Sequence, residues 1–275
     1  MGQLQSFDRL CLNQITTQRW NLQEAVEGCA RAGIPWIGLW RNKVQELGLK
    51  KSKQSIKDAG VKVSSLISIG WFSAKTAEER RKKMEDNFRI IEEAAELGAK
   101  VIVLVGGGLV DRDIATARKW AEEGIAELVP YAKSHGVKLG IEPLHPMYTA
   151  ERNVINTLAQ ARELAKPYST DVVGIIVDVF HVWWDPYLYQ QIELAGKENR
   201  IIGFHVSDWL VPLPGFLLAR GMMGDGVIEI RKIREAVDAA GYTGPIEVEI
   251  LNQSIWDQPG DEVISLMKER YLQHV

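Results

Sequence analysis

The sequence predicts an α/β fold, a (β/α)8 (TIM) barrel that forms a single domain over residues 1–275. Apolar, strand-like runs alternate with amphipathic, helix-like runs along the whole chain, and eight such pairs are present. The strand-like runs are rich in Val and Ile and show little polar alternation, as in parallel sheets that are covered on both faces. A chain of 275 residues also has the length that eight such units require.

The eight predicted strands are short and evenly spaced. They are RLCLNQI (9–15), PWIGLW (35–40), VKVSSLI (61–67), KVIVLVG (100–106), VKLGIEP (137–143), VGIIVDV (173–179), IIGFHVS (201–207) and PIEVEIL (245–251). A doubly wound open sheet is the alternative, but the count of eight and the lack of a GxGxxG pattern after the first strand disfavour it.

The predicted helices lie between these strands. Examples are NLQEAVEGCARAG (21–33), AEERRKKMEDNFRIIEEAAELG (77–98) and DIATARKWAEEGIAELVPYAKSHG (113–136). Several helical runs are followed by the glycine that commonly ends a helix: Gly33, Gly60, Gly98, Gly136 and Gly241. The longest connection, WLVPLPGFLLARGMMGDG (209–226), follows the seventh strand, and a loop of this length indicates a lid, a substrate wall or an interface.

Composition excludes several classes of function. A net charge of −3 provides no basic surface for nucleic acid or anionic lipid. The apolar runs are too short to cross a bilayer, and no signal-peptide pattern opens the chain, so we expect a cytoplasmic protein. Cys11 and Cys29 lack metal-type spacing and are expected to be buried thiols.

Polar residues stand at the carboxyl ends of the last four predicted strands. These are Glu142, Asp178, His205 and Glu249 on strands five to eight. In a barrel such ends meet at one rim, which is where catalytic groups lie. Three carboxylates so close would repel one another unless a cation sat among them. Carboxylates with one imidazole favour Mn²⁺ or Mg²⁺, with Zn²⁺, Co²⁺ or Fe²⁺ as alternatives, and the pattern therefore predicts a metal site.

Glu247 shares a strand face with Glu249, because side chains two residues apart point the same way. Glu249 is nearer the rim and is the expected ligand. Glu247 is expected to lie deeper, either paired with a Lys or Arg of the barrel or supporting the ligands.

The motifs GIEPL, VDVFHV, GFHVSD, GDGVIE and GPIEVEI occur in this order along the chain. Together they resemble the xylose-isomerase-like barrel superfamily of sugar isomerases, sugar epimerases and endonuclease IV. The resemblance implies one divalent metal held by Glu142, Asp178, His205 and Glu249. It also implies that Glu142 and Glu249 move the proton and that His181 and Arg220 touch substrate oxygens. The endonuclease branch is disfavoured, because the five histidines are too few for its three-metal cluster.

Two features depart from the epimerase pattern. His145, three residues after a predicted ligand, stands where many epimerases have a small polar residue, and it is a candidate base or acid. The alternative is a turn residue fixed between Pro143 and Pro146. Second, seven tryptophans fall at or just after strand ends, where indole rings could stack on sugars or aromatic ligands: Trp20, Trp40, Trp71, Trp183, Trp184, Trp209 and Trp256.

In both features the chain resembles the catalytic (alpha) subunits of bacterial C-glycoside deglycosidases. The similar runs are EPLHP, HVWWDP, SDW and RGMMGDG. This resemblance implies a lyase that cleaves 3-keto C-glycosides of aromatic aglycones by β-elimination, with His145 as the base and a small beta subunit as partner. Trp71, Trp183, Trp184 and Trp209 would then contact the substrate.

The alternatives are a keto-sugar isomerase or epimerase with two-glutamate proton transfer and, more remotely, a non-catalytic sugar-binding barrel. A homo-oligomer is the alternative to the small partner subunit. Neither nucleic acid nor a membrane is an expected partner.

Overall fold

The computed structural model describes residues 2–275 and confirms the predicted (β/α)8 barrel. Eight parallel strands close on one another, and each pairs with its neighbours in sequence, the last with the first. In chain order the barrel strands are Leu10–Asn13, Trp36–Trp40, Lys62–Gly70, Val101–Val105, Lys138–Ile141, Val173–Asp178, Ile201–Val206 and Ile246–Val248.

The helices surround this barrel. The α-helices are Leu22–Ala32, Arg41–Leu47, Leu49–Ala59, Ala77–Leu97, Ile114–Ser134, Leu158–Ala165, Val179–Val182, Leu188–Lys197, Ile230–Ala239, Gln253–Trp256 and Gly260–His274. Two short 3₁₀ helices cover Gln14–Thr17 and Pro146–Tyr148. Among the described residues, no helix combines the length and the apolar character that a membrane crossing needs.

Sequence and structure agree closely at the helix ends. The five glycines expected there all adopt positive φ, between 66° at Gly60 and 92° at Gly241. Strand three runs to Gly70, three residues beyond its predicted end. The last strand ends at Val248, so Glu249 lies one residue past it and faces the rim.

Gly38, in the middle of strand two, leaves a space inside the barrel. A Cβ atom at this position would lie 1.9 Å from Oε1 of Glu247, which reaches across from the last strand. The carboxylate of Glu247 thus occupies interior volume that a side chain on strand two would otherwise fill.

The long connection after strand seven folds over the rim. Its ends pair as two-residue antiparallel strands, Asp208–Trp209 with Arg220–Gly221. Val211 at its outer edge is 70% exposed, whereas Ala219 is buried and Leu213 packs with it. The hydroxyl of Tyr148 donates to the carbonyl of Phe216 at 2.7 Å, which ties the loop to the segment after strand five.

Candidate metal centre

Four side chains converge at the carboxyl ends of strands five to eight. Glu142 and Glu249 follow their strands directly, Asp178 ends strand six, and His205 lies near the end of strand seven. All four are buried, and one potential ligand atom from each lies within 4.8 Å of the others. These are the residues that the sequence predicts as a cluster, and the structure brings them together.

Two atoms of this cluster lack hydrogen-bond partners. Oε1 of Glu142 and Nδ1 of His205 are buried and lie 3.1 Å apart, but neither makes a hydrogen bond with good geometry. Nδ1 of His205 also lies 3.6 Å from Oε2 of Glu249. Unpartnered buried polar atoms that converge on one point suit the binding of an ion. Three carboxylates and one imidazole are donors that a divalent cation accepts, so the residues present fit such an ion.

Arg220 carries the positive charge nearest to the cluster. Its Nη1 donates to Oδ2 of Asp178 at 2.8 Å and lies 3.3 Å from Oε2 of Glu249. Burial opposes the guanidinium charge, but the two carboxylates outweigh it and hold the pKa of Arg220 above its usual value. The guanidinium also stacks on the ring of Phe180 at 4.8 Å. Arg220 therefore neutralises part of the negative charge of the cluster.

The two glutamates experience different environments. Burial raises the pKa of Glu142 to about 7. Burial also acts on Glu249, but Arg220 and His205 outweigh it, so the pKa of Glu249 lies below its usual value. One carboxyl group of the pair is thus disposed to hold a proton and the other to remain ionised.

His181 is buried, and a protein group lies close to each of its ring nitrogens. Its Nδ1 accepts from the backbone N–H of His145 at 3.2 Å, and Nη2 of Arg220 lies 3.0 Å from its Nε2. Burial lowers the pKa of His181 to about 3, so the ring is neutral. The substrate contacts predicted for His181 and Arg220 stay predictions, since both side chains already have protein partners.

His145 caps the 3₁₀ helix Pro146–Tyr148. Its Nδ1 accepts from the backbone N–H of Met147 at 3.2 Å. Burial lowers the pKa of His145 to about 4, so at neutral pH the ring is uncharged and its proton sits on Nε2. In this state the ring can donate a hydrogen bond but has no free lone pair to take a proton. The catalytic role predicted for His145 stays a prediction, and the geometry favours the turn role.

Aromatic side chains form one packed group beside the cluster. The ring of Trp209 lies 4.7 Å from His145, 4.9 Å from Phe180 and 5.5 Å from Trp183. Nε1 of Trp184 donates to the carbonyl of His181 at 2.8 Å. Much of the indole surface is therefore used in contacts between aromatic residues.

Not all seven tryptophans predicted at the mouth face it. Trp20 packs between two outer helices, against Gly28 and Gly260, so its placement at the mouth is wrong. Trp40 points into the barrel, where its Nε1 donates to Asn13, and Trp256 donates to the carbonyl of Ile250. Trp71 lies beside the site, with Arg152 over its ring at 5.2 Å.

Glu247 has partners that the sequence did not suggest. It accepts hydrogen bonds from Asn13, Ser64 and Ser65 at 2.7–3.1 Å. Among the described residues it forms no ion pair with Lys or Arg, so that part of the expectation is wrong. Side chains alternate along strand one, so Cys11 and Asn13 point to the same side of the sheet. This alternation could have identified Asn13 as a partner of Glu247.

Comparison with known proteins identifies the fold family of the chain. The family model described as xylose isomerase-like TIM barrel matches residues 26–270. The inosose isomerase of Bacillus velezensis is 24% identical over 272 residues, which cover 95% of each chain. The 3-dehydro-D-guloside 4-epimerase of Escherichia coli is 25% identical over 215 residues, covering 73% of this chain and 76% of that one.

Solved structures agree with this comparison. Protein SMc04130 from Sinorhizobium meliloti 1021 superposes with a TM-score of 0.95 and 44% identity, over 98% of this chain and 99% of that chain. The IOLI protein with a bound zinc atom superposes with a TM-score of 0.83 and 20% identity, over 97% and 98% of the two chains. At 20% identity, the similarity to the IOLI protein shows only that the two chains share a fold.

Proposed function

Because the chain belongs to the xylose isomerase-like TIM barrel family, we propose that it is a divalent-metal-dependent isomerase or epimerase of keto sugars. The observation that carries the proposal is the convergence of Glu142, Asp178, His205 and Glu249 within 4.8 Å at the barrel rim. Curated relatives that match most of the chain are named as an isomerase and a keto-sugar epimerase, which supports the same reaction type.

The four converging residues would hold the metal, with His205 binding through Nδ1. When bound, a divalent metal supplies Lewis-acid stabilisation of the negative charge that develops on a substrate carbonyl oxygen. Mn²⁺ or Mg²⁺ suits the three carboxylates, and the zinc atom bound to the IOLI protein supports Zn²⁺ as an alternative.

Glu142 and Glu249 are the residues that we propose move the proton. They approach the cluster from strands five and eight, with strands six and seven between them. Glu249 is kept ionised by Arg220 and can remove a proton from the carbon beside the carbonyl. Glu142, which approaches the cluster from strand five, is the residue that returns a proton from another side. A positioned base or acid contributes about 10²–10⁴-fold to such a step.

Burial of the site keeps competing water away from the reaction. Val105, Leu144, Tyr148, Phe180 and Ala219 form an apolar group next to the cluster. Leu213 of the loop after strand seven packs on this group, so the loop has to move before a sugar can enter. Exclusion of water strengthens the electrostatic contacts within the site.

A C-glycoside lyase is the second candidate, and one observation favours it. The aromatic group around Trp209 and Trp183 lies beside the cluster, and neither indole is fully buried, which suits contact with an aromatic aglycone. No relative described above is named as such a lyase. The engaged Nδ1 of His145, and the weak basicity that goes with its lowered pKa, also argue against its service as the base.

The test is proton exchange in D₂O with Mn²⁺-loaded protein, free keto sugars and a 3-keto C-glycoside. We expect deuterium incorporation and isomer formation from a keto sugar, both lost in Glu249→Gln. Glu235→Gln, on an outer helix, is the matched control and should retain both. Release of the aglycone without sugar isomerisation would replace the proposal with the lyase, and the absence of any exchange would overturn both.

A further inference from the structure

The ring of His205 lies between two groups of carboxylates. Its Nδ1 faces Glu142 and Glu249, whereas its Nε2 faces Oε2 of Glu247 at 3.7 Å. Glu247 is not a member of the cluster of four, and the chemistry proposed above makes no use of it. It is nevertheless buried and held by hydrogen bonds. Burying a carboxylate is costly, so its presence here needs a physical reason.

The orientation of the Glu247 carboxylate is fixed from three sides. Asn13 donates to Oε1 at 2.7 Å, Ser64 donates to Oε2 at 2.9 Å, and the hydroxyl of Ser65 lies 3.1 and 3.0 Å from the two oxygens. All three partners act as donors, so the carboxylate keeps its lone pairs as acceptors. Of the two oxygens, Oε2 is the one that faces His205, 3.7 Å from its Nε2.

A cavity of about 200 Å³ adjoins this contact. It extends from the amino ends of strands two, four and seven, at Trp36, Val101 and Ile202, up to Glu247 and His205. The contact is therefore reached from the barrel face opposite the rim. The separation of 3.7 Å exceeds hydrogen-bond distance, so a bond between Nε2 and Oε2 requires a small rotation of the imidazole, which lines this cavity.

We infer that Glu247 is a positioning residue that accepts the Nε2–H of His205 and so directs the Nδ1 lone pair toward the carboxylate cluster. A neutral imidazole carries its proton on one nitrogen, and the partner of that nitrogen decides which one. Histidines that bind metals commonly donate their other N–H to a carboxylate, and loss of that partner typically costs about 10–100-fold in metal affinity. The inference rests on the metal site proposed above.

Glu247→Gln tests this orientation. The amide has nearly the shape of the carboxylate, but one of its two polar groups is a donor NH₂ instead of an acceptor oxygen. Asn13 would hold the amide oxygen, which leaves the amide NH₂ at the position of Oε2, facing Nε2 of His205. That NH₂ group needs an acceptor, so it favours the tautomer with the proton on Nδ1. This tautomer offers no lone pair to the metal.

The experiment is ¹⁵N NMR of the histidine rings in Zn²⁺-loaded protein, together with Zn²⁺ and Co²⁺ titrations and the visible spectrum of bound Co²⁺. In wild-type protein we expect His205 to carry its proton on Nε2. In Glu247→Gln we expect metal affinity to fall about 10–100-fold with a changed Co²⁺ spectrum. Ser65→Ala, which removes a donor to Glu247 but nothing that faces His205, should preserve the tautomer and the spectrum.

Each outcome is decisive. A proton on Nδ1 of His205 in the loaded wild-type protein overturns the inference without any variant, which covers the case in which Glu247→Gln does not fold. Unchanged affinity and spectrum in a folded Glu247→Gln also overturn it. If wild-type protein binds neither metal, the proposed function fails instead, and the two failures are thereby distinguished.

Discussion

Replacement of Arg220 by Met should destabilise the metal-free protein strongly. Arg220 is buried, and its guanidinium lies 2.8 Å from Asp178 and 3.3 Å from Glu249. Met preserves most of the apolar stem that packs on Phe180, so the substitution mainly removes the charge. At an effective dielectric constant of about 20, charges at these separations attract by about 5–6 kcal/mol each, before the cost of desolvation is subtracted.

Removal of one member of a buried ion pair typically costs about 3–5 kcal/mol, because the remaining charge is left uncompensated. We expect a loss of this size in the free energy of unfolding in EDTA. With saturating Mn²⁺ the loss should be smaller, since the cation compensates the same carboxylates. Urea unfolding followed by tryptophan fluorescence measures both quantities.

The control for this prediction is Arg31→Met. Arg31 pairs with Asp261 at 2.9 Å, but both side chains are more than half exposed. A surface pair of this kind contributes little to stability, because water screens both charges. If Arg220→Met loses no more than Arg31→Met in EDTA, the reasoning about charge compensation at the cluster is refuted.

Further predictions concern the cluster and its neighbours. Glu142→Gln should lose both metal binding, measured by titration calorimetry, and turnover; full activity of this variant after chelation would disprove the metal site. His145→Ala should retain the metal and keto-sugar turnover while losing about 1 kcal/mol of helix-cap stability in urea unfolding; abolished turnover would reinstate His145 as a catalytic base. Metal affinity should rise with pH. Burial lowers the pKa of His205, but Glu247, Glu142 and Glu249 outweigh this and raise it, so the metal-free site holds a proton that the metal displaces. Calorimetry in buffers of different ionisation enthalpy should detect the released proton, and a pH-independent affinity would contradict this.

The barrel and its cluster were predictable because both depend on strand pattern. Parallel strands bring their carboxyl ends to one rim, so Glu142, Asp178, His205 and Glu249 could be placed together from their positions alone. The helix-ending glycines were predictable for a similar reason, since a local backbone conformation determines them.

The contacts of individual side chains were less accessible to prediction. Trp20 follows a strand, yet its ring turns outward to fill the space left by Gly28 and Gly260. The partners of Glu247 come from strands one and three, which are distant in sequence. The choice between capping and catalysis at His145 depends on one hydrogen bond, to the backbone of Met147, that no residue pattern encodes.

Gly38 has a consequence for how sequences of this kind can change. A Cβ atom there would lie 1.9 Å from Oε1 of Glu247, so a side chain at position 38 would displace this carboxylate from its hydrogen bonds with Asn13 and Ser65. Relatives that carry alanine or a larger residue at the position of Gly38 should therefore carry a shorter residue at the position of Glu247. The two positions should evolve as a pair, although they lie on different strands at opposite ends of the chain.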